Sequence, residues 1–138
     1  MPQSYIQHLA ILYDKITQQL DSSIQLPGIN HTNYFYLQKL AEHPGLTQSD
    51  FSQFVKLTQS TVTRAINKLV KLGYVQRKVA QNDGRRVELG LTQAGVDASK
   101  QINRLVDQLN RTFENLDENH ALFTKLNQAN QAFTTTHS

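Results

Sequence analysis

Residues 47–73 run TQSDFSQFVKLTQSTVTRAINKLVKLG and contain two helix starts and one helix stop. Thr47 stands three residues before Asp50, the spacing of a capping box, in which the hydroxyl accepts an orphan N–H and the acid answers it while suiting the helix dipole. That predicts a short helix to about residue 55. After Lys56-Leu57, Thr58 offers a second N-cap. Val62, Ala65, Ile66 and Leu69 then recur at helical spacing over residues 59–72, and Gly73 stands where a helix ends. Two helices joined by only a few residues have the proportions of a helix-turn-helix.

Working outward, Val75-Gln76-Arg77-Lys78-Val79 and Val87-Glu88-Leu89-Gly90-Leu91 alternate with period two around Gln81-Asn82-Asp83-Gly84. This predicts a β-hairpin with Asp-Gly in its turn. Thr92 caps a long helix carrying Val96, Ile102, Leu105, Val106, Leu109 and Phe113. A break at residues 115–117 precedes a last helix with Leu122, Leu126 and Phe133, and residues 134–138 read as a frayed tail. Upstream, residues 4–20 place Ile6, Leu9, Tyr13, Ile16 and Leu20 at spacings of 3, 4, 3 and 4, a narrow stripe of the kind that seams against another helix. Leu26-Pro27-Gly28 breaks that helix. The next is capped by Thr32 and runs to residue 42 with Tyr34, Leu37, Leu40 and Ala41 inward, ending at His43-Pro44-Gly45. The fold class is therefore mostly α with a small β-hairpin.

The chain has 138 residues, no cysteine, and 14 Lys+Arg against 11 Asp+Glu, a formal charge of +3. That length suits one compact domain that needs no disulfide or structural metal, and without cysteine there is no thiol chemistry. No apolar run approaches the ~20 residues of a membrane span, and no basic-then-apolar leader opens the chain, so no membrane is expected and the expected compartment is cytoplasmic. The charge is unevenly placed. Residues 56–86 hold Lys56, Arg64, Lys68, Lys71, Arg77, Lys78, Arg85 and Arg86 against the single acid Asp83, a net of +7, which leaves −4 for the rest. Such separation is an electrostatic footprint for a polyanion.

The outward face of the 59–72 helix shows Gln59, Ser60, Thr61, Thr63, Arg64, Asn67, Lys68 and Lys71. Hydroxyls, amides and a guanidinium match base-edge acceptors and phosphate oxygens, and the face carries no acid. Ser60, Thr61 and Arg64 share a side near the helix N-terminus, the end that enters a major groove. An ordinary solvated face would mix in Glu and Asp. At the hairpin tip, Arg85 suits a minor groove, with Asp83 two residues away to hold it in position. The blander reading of that tip is a charged turn that keeps an edge strand from pairing.

These residues resemble the MarR family of bacterial transcriptional regulators, which are winged helix-turn-helix homodimers. The match runs from Leu46-Thr47-Gln48 through Thr58-Gln59-Ser60-Thr61-Val62-Thr63-Arg64, Leu69, Gly73-Tyr74-Val75 and Asp83-Gly84-Arg85 to Leu91-Thr92-Gln93-Ala94-Gly95. Its most specific part is Asp-x-Arg followed, after five residues, by Leu-Thr-x-x-Gly. The resemblance implies base-edge contacts from Ser60, Thr61 and Arg64, phosphate contacts from Gln48, Thr63, Lys68 and Arg86, and a minor-groove wing with Asp83 and Arg85. It also implies an N-terminal dimerisation helix over residues 1–28, a winged helix-turn-helix over 29–95 and C-terminal dimerisation helices over 96–138, within one compact domain. A two-fold dimer would read a pseudo-palindromic operator in double-stranded DNA with half-sites about 34 Å apart. A ligand-responsive repressor is the implied role. Small phenolic or lipophilic effectors are common in the family, and Tyr13, Tyr34 and Tyr36 are candidates beside a cleft between the dimer helices and the DNA-binding lobe.

Two departures stand out. Lys56 occupies a turn position often filled by glycine, and the absence of cysteine removes the oxidant sensing that many relatives use. An enzyme is not expected, since no phosphate-binding loop, nucleophile elbow or zinc-protease motif occurs. No cofactor is called for. His8, His31, His43, His120 and His137 lie on separate segments without ligand spacing, so no metal site is expected, although a metal-responsive regulator is one alternative. The other is a winged-helix adaptor that binds protein.

Overall fold

The computed structural model describes residues 4–137, with side chains described to residue 134. The elements are α1 (Tyr5–Ser23), α2 (Tyr34–Glu42), α3 (Gln48–Val55), α4 (Gln59–Lys71), β1 (Val75–Ala80), β2 (Asp83–Leu91), α5 (Gln93–Leu116), a single 3-10 turn (Glu118–His120) and α6 (Ala121–His137). The chain divides into two compact units, residues 1–105 and 106–138, and α5 passes from the first into the second. Residues 1–3 of the expected N-terminal segment lie outside the described residues. Among the described residues no helix is long and apolar enough to cross a membrane.

Three of the four expected threonine caps, all but Thr32, form as their spacing requires. Thr47 Oγ1 accepts from Asp50 N at 3.1 Å, Thr58 Oγ1 from Thr61 N at 3.3 Å, and Thr92 Oγ1 from Gly95 N at 3.1 Å. The Asp50 carboxylate lies against Arg86 at 3.6 Å. Lys56, between α3 and α4, takes the left-handed conformation (φ 58°, ψ 40°) that a glycine would adopt, so the turn keeps its geometry and a cation is added. Helix α4 ends in a Schellman arrangement: Tyr74 N donates to Leu69 O and Gly73 N to Val70 O, both at 3.0 Å, with Gly73 at φ 88°.

The core of the first unit forms where these helices meet the base of the hairpin. Leu37, Phe51, Val62, Ile66, Leu69 and Ile102 are fully buried. Helix α2 differs from expectation in its start and its facing. Asn33 is its N-cap; Asn33 Oδ1 accepts from Asn30 N, and Nδ2 donates to Gly28 O. The Thr32 hydroxyl instead bonds Asn30 Oδ1. Tyr36 therefore turns inward and stacks on Phe51 (centroids 5.6 Å apart), while Tyr34 is half-buried and Ala41 exposed.

The hairpin register runs from Val75↔Leu91 to Val79↔Val87 and then jumps to Ala80↔Asp83. The turn is therefore Gln81-Asn82 rather than Asp-Gly. Asp83 Oδ1 accepts the Arg85 N–H at 3.0 Å, a local Asx-type bond that takes up the extra residues of β2.

Thr92 explains the Leu-Thr-x-x-Gly spacing. Its N–H donates to Tyr74 O at 3.0 Å, its hydroxyl bonds Gly73 O, and a Cβ on Gly95 would lie 2.0 Å from Tyr74 O. The start of α5 is thus pressed directly onto the turn between α4 and β1. In the second unit, Asp117 receives Leu122 N (2.7 Å) and Phe123 N (3.2 Å), which opens α6. The expected tail continues as helix to His137, because residues 134–137 hold no breaker and Thr134 bonds back to Asn130 O at 2.8 Å. Ser138 lies outside the described residues.

Candidate nucleic-acid interface

Helix α4 buries Val62, Ile66 and Leu69 and turns its opposite side outward. Gln59, Ser60, Thr61, Arg64, Asn67, Lys68 and Lys71 are all exposed on it, and Thr63 is half-buried. Burial of an apolar stripe on one side is what brings these polar side chains together on the other. Thr58 Oγ1 donates to Thr61 Oγ1 at 2.8 Å, so Thr61 keeps its own hydroxyl hydrogen, and a methyl group, to offer outward.

Behind this face, α3, α4 and β1 are tied by a set of bonds absent from sequence reasoning. Gln48 Nε2 donates to Thr63 Oγ1 at 2.8 Å. Arg77 Nη2 donates to Gln48 Oε1 at 3.2 Å and to Asn67 Oδ1 at 2.7 Å. Two of the expected phosphate contacts, Gln48 and Thr63, are therefore partners of each other. Arg77 was legible only as one charge among eight. Its parity with buried Val75 is the signal that turns it toward the helices.

The other expected residues divide. Lys68 and Arg64 are exposed and take part in no ion pair among the described residues. Arg86 is a clasp: Nε donates to Glu88 Oε1 at 3.2 Å, Nη2 to Gly45 O at 3.3 Å, and Nη2 lies 3.6 Å from Asp50 Oδ2. With Leu89 N bonded to Leu46 O at 2.7 Å, the clasp fastens the wing to the loop before α3. Two carboxylates beside Arg86 offset its charge, which leaves less for a phosphate than its place in the sequence suggests. Asp83 and Arg85 are both exposed at the wing tip, and Asp83 positions Arg85 through the backbone.

The three tyrosines do not form one site. Burial pushes the Tyr34 hydroxyl above its usual range and the nearby Tyr13 adds to the shift, so these two are brought together. Burial also raises Tyr36, which is 2% exposed and stacked between Phe35 and Phe51 as part of the core. A groove of about 580 Å³ opens elsewhere, with Leu40, Leu89, Leu91 and Val96 on its walls and Lys78 and Lys100 beside them; none of the three tyrosines lines it. His31 Nδ1 lies 2.7 Å from Asp21 Oδ2, and His43 packs on Phe54 with rings 4.3 Å apart. No cluster of three metal-ligating side chains exists among the described residues.

Comparison with known proteins agrees with the fold and gives the family. The model of the MarR family matches residues 29–87. YwhA of Bacillus subtilis, an uncharacterized HTH-type transcriptional regulator, is 31% identical over 97 residues, which cover 70% of each chain. PrsX of Escherichia coli, another HTH-type transcriptional regulator, is 38% identical over 71 residues, 50% of this chain but only 43% of PrsX. Among solved structures, the S. aureus MepR–DNA complex aligns with a TM-score of 0.82 at 19% identity over 97% of both chains. PcaV of Streptomyces coelicolor, solved with its natural ligand, aligns at 0.78 with 20% identity over 97% of this chain and 95% of PcaV. At such identities the likeness is one of fold.

Proposed function

The chain belongs to the MarR family of HTH-type transcriptional regulators, and from that premise we propose that it is a ligand-responsive repressor acting in the cytoplasm as a homodimer on a pseudo-palindromic operator. The observation that carries the reading is the acid-free, exposed face of α4 beside a wing whose tip bears Arg85. In this proposal Ser60, Thr61 and Arg64 read base edges in the major groove, while Lys68, Thr63 and Gln48 meet phosphates. Arg85 enters the minor groove with Asp83 behind it, and Arg86 holds the wing at the angle that allows this. MepR, solved on DNA, has the same fold, which supports the docking mode.

The dimer is proposed from open apolar surface on each unit. Tyr5, Ile6, Leu9 and Tyr13 are exposed along α1, and Phe123 and Leu126 along α6. Apolar rows of this kind mark surfaces that another chain covers. Residues 1–28 and 96–138 are assigned that role, and residues 29–95 are assigned DNA binding. A small phenolic or lipophilic effector is proposed near Tyr13 and Tyr34; PcaV carries its natural ligand on the same fold.

Selection of bound sequences from random duplex DNA tests the whole reading. Enriched pseudo-palindromes with half-sites about 34 Å apart are expected. No enrichment, with a flat salt dependence on random duplex, overturns the reading in favour of a protein-binding adaptor.

A further inference from the structure

Arg77 differs from Arg86 in what surrounds it. Arg86 is flanked by Glu88 and Asp50, whereas both acceptors of Arg77, Gln48 Oε1 and Asn67 Oδ1, are neutral amides. Neutral acceptors hold a guanidinium in place without cancelling its charge, so its full positive field remains available to a polyanion. The bonds also orient Gln48. With the amide oxygen toward Arg77, the amide nitrogen faces Thr63 Oγ1 at 2.8 Å. A hydroxyl that accepts from an amide has its single hydrogen left to give to another acceptor. Arg77, Gln48 and Thr63 thus form a relay in which every donor points the same way, from the guanidinium toward the DNA face of α4, and such chains polarise the last donor.

We propose that Arg77 is a positioning residue for the DNA backbone: it orients the Gln48 amide so that the Thr63 hydroxyl donates to a phosphate, while its own charge adds to the same contact. This rests on the DNA-binding reading above and adds to it a residue and a device. The planar guanidinium suits the task because one nitrogen reaches acceptors on two different helices; a lysine ammonium would keep the charge without imposing that plane.

The test is a double-mutant cycle on the full chain, read by affinity for the selected duplex and for random duplex across a range of salt. Arg77→Gln is expected to weaken both duplexes by about tenfold and to reduce the salt slope by about 0.9, the value of one phosphate contact. Thr63→Val should weaken the wild type severalfold and change the Arg77→Gln protein less than about twofold, since the relay is already broken. Arg77→Lys should restore the salt slope without restoring dependence on Thr63. Gln48→Leu keeps the arginine and, if Arg77→Gln fails to fold, serves in its place: the Thr63 effect should vanish while the slope stays near that of the wild type. Additive losses, or Arg77→Gln binding like the wild type, overturn the relay and leave the DNA reading standing. A wild-type protein that binds neither duplex overturns both.

Discussion

At the scale of single residues, what decides a cation's role is the company the fold gives it. Arg64 and Lys68 stand exposed on an acid-free helix face, Arg77 is held by two amides, and Arg86 is flanked by two carboxylates. Arg64→Ala is expected to cost about 1–3 kcal/mol on the selected duplex and to relax preference at one base position, because a bidentate reader is lost. Lys68→Ala should weaken all sequences alike and lower the salt slope by about 1. Filter binding on specific and random duplexes separates the two; equal losses on both for Arg64→Ala would contradict base reading.

At the scale of elements, the junction between α5 and the turn that follows α4 tolerates little. The 2.0 Å approach of a Cβ on Gly95 to the Tyr74 carbonyl is a clash with backbone, which cannot rotate away. Gly95→Ala should therefore destabilise the chain by about 1–3 kcal/mol despite the better helix propensity of alanine, seen as a lower urea midpoint. An unchanged midpoint would mean that α5 shifts freely against that turn.

The end of α1 is fastened differently. The His31 backbone N–H, and secondarily its ring, hold the Asp21 carboxyl below the usual carboxylate range. A carboxyl with a lowered folded-state pKa stabilises above its unfolded-state value and loses that effect as pH falls through the folded-state value. Asp21→Asn should melt below the wild type at pH ~7, and the two should converge below pH ~4. A gap of constant size across that range would assign the effect to something other than the carboxylate.

For the whole molecule, the +3 charge is the sum of a +7 stretch from residue 56 to 86 and a −4 remainder. The same partition separates the polar face of α4 and the wing from α1 and α6, each of which carries exposed apolar side chains. Leu9→Lys is chosen because Leu9 is 49% exposed, so the single chain should fold with unchanged helix content. In sedimentation it should move from twice the chain mass toward 15.7 kDa, with DNA affinity falling as the second half-site contact is lost. A wild type that sediments only at 15.7 kDa at micromolar concentration would remove the dimer.

Local chemistry was enough to place the helix-turn-helix, the three threonine caps, the glycine stop at residue 73 and the existence of the wing. Each depends on residues within about one turn of one another, where spacing and geometry are nearly the same thing. The hairpin register, the inward turn of Tyr36, the clasp of Arg86 and the relay through Arg77 were decided only by the tertiary structure. Gln48 and Arg77 are 29 residues apart, and Gly45 and Arg86 are 41 apart. Contacts at such separations exist only once buried side chains from α2 to α5 have brought their elements together, and no local periodicity encodes which donor will then find which acceptor.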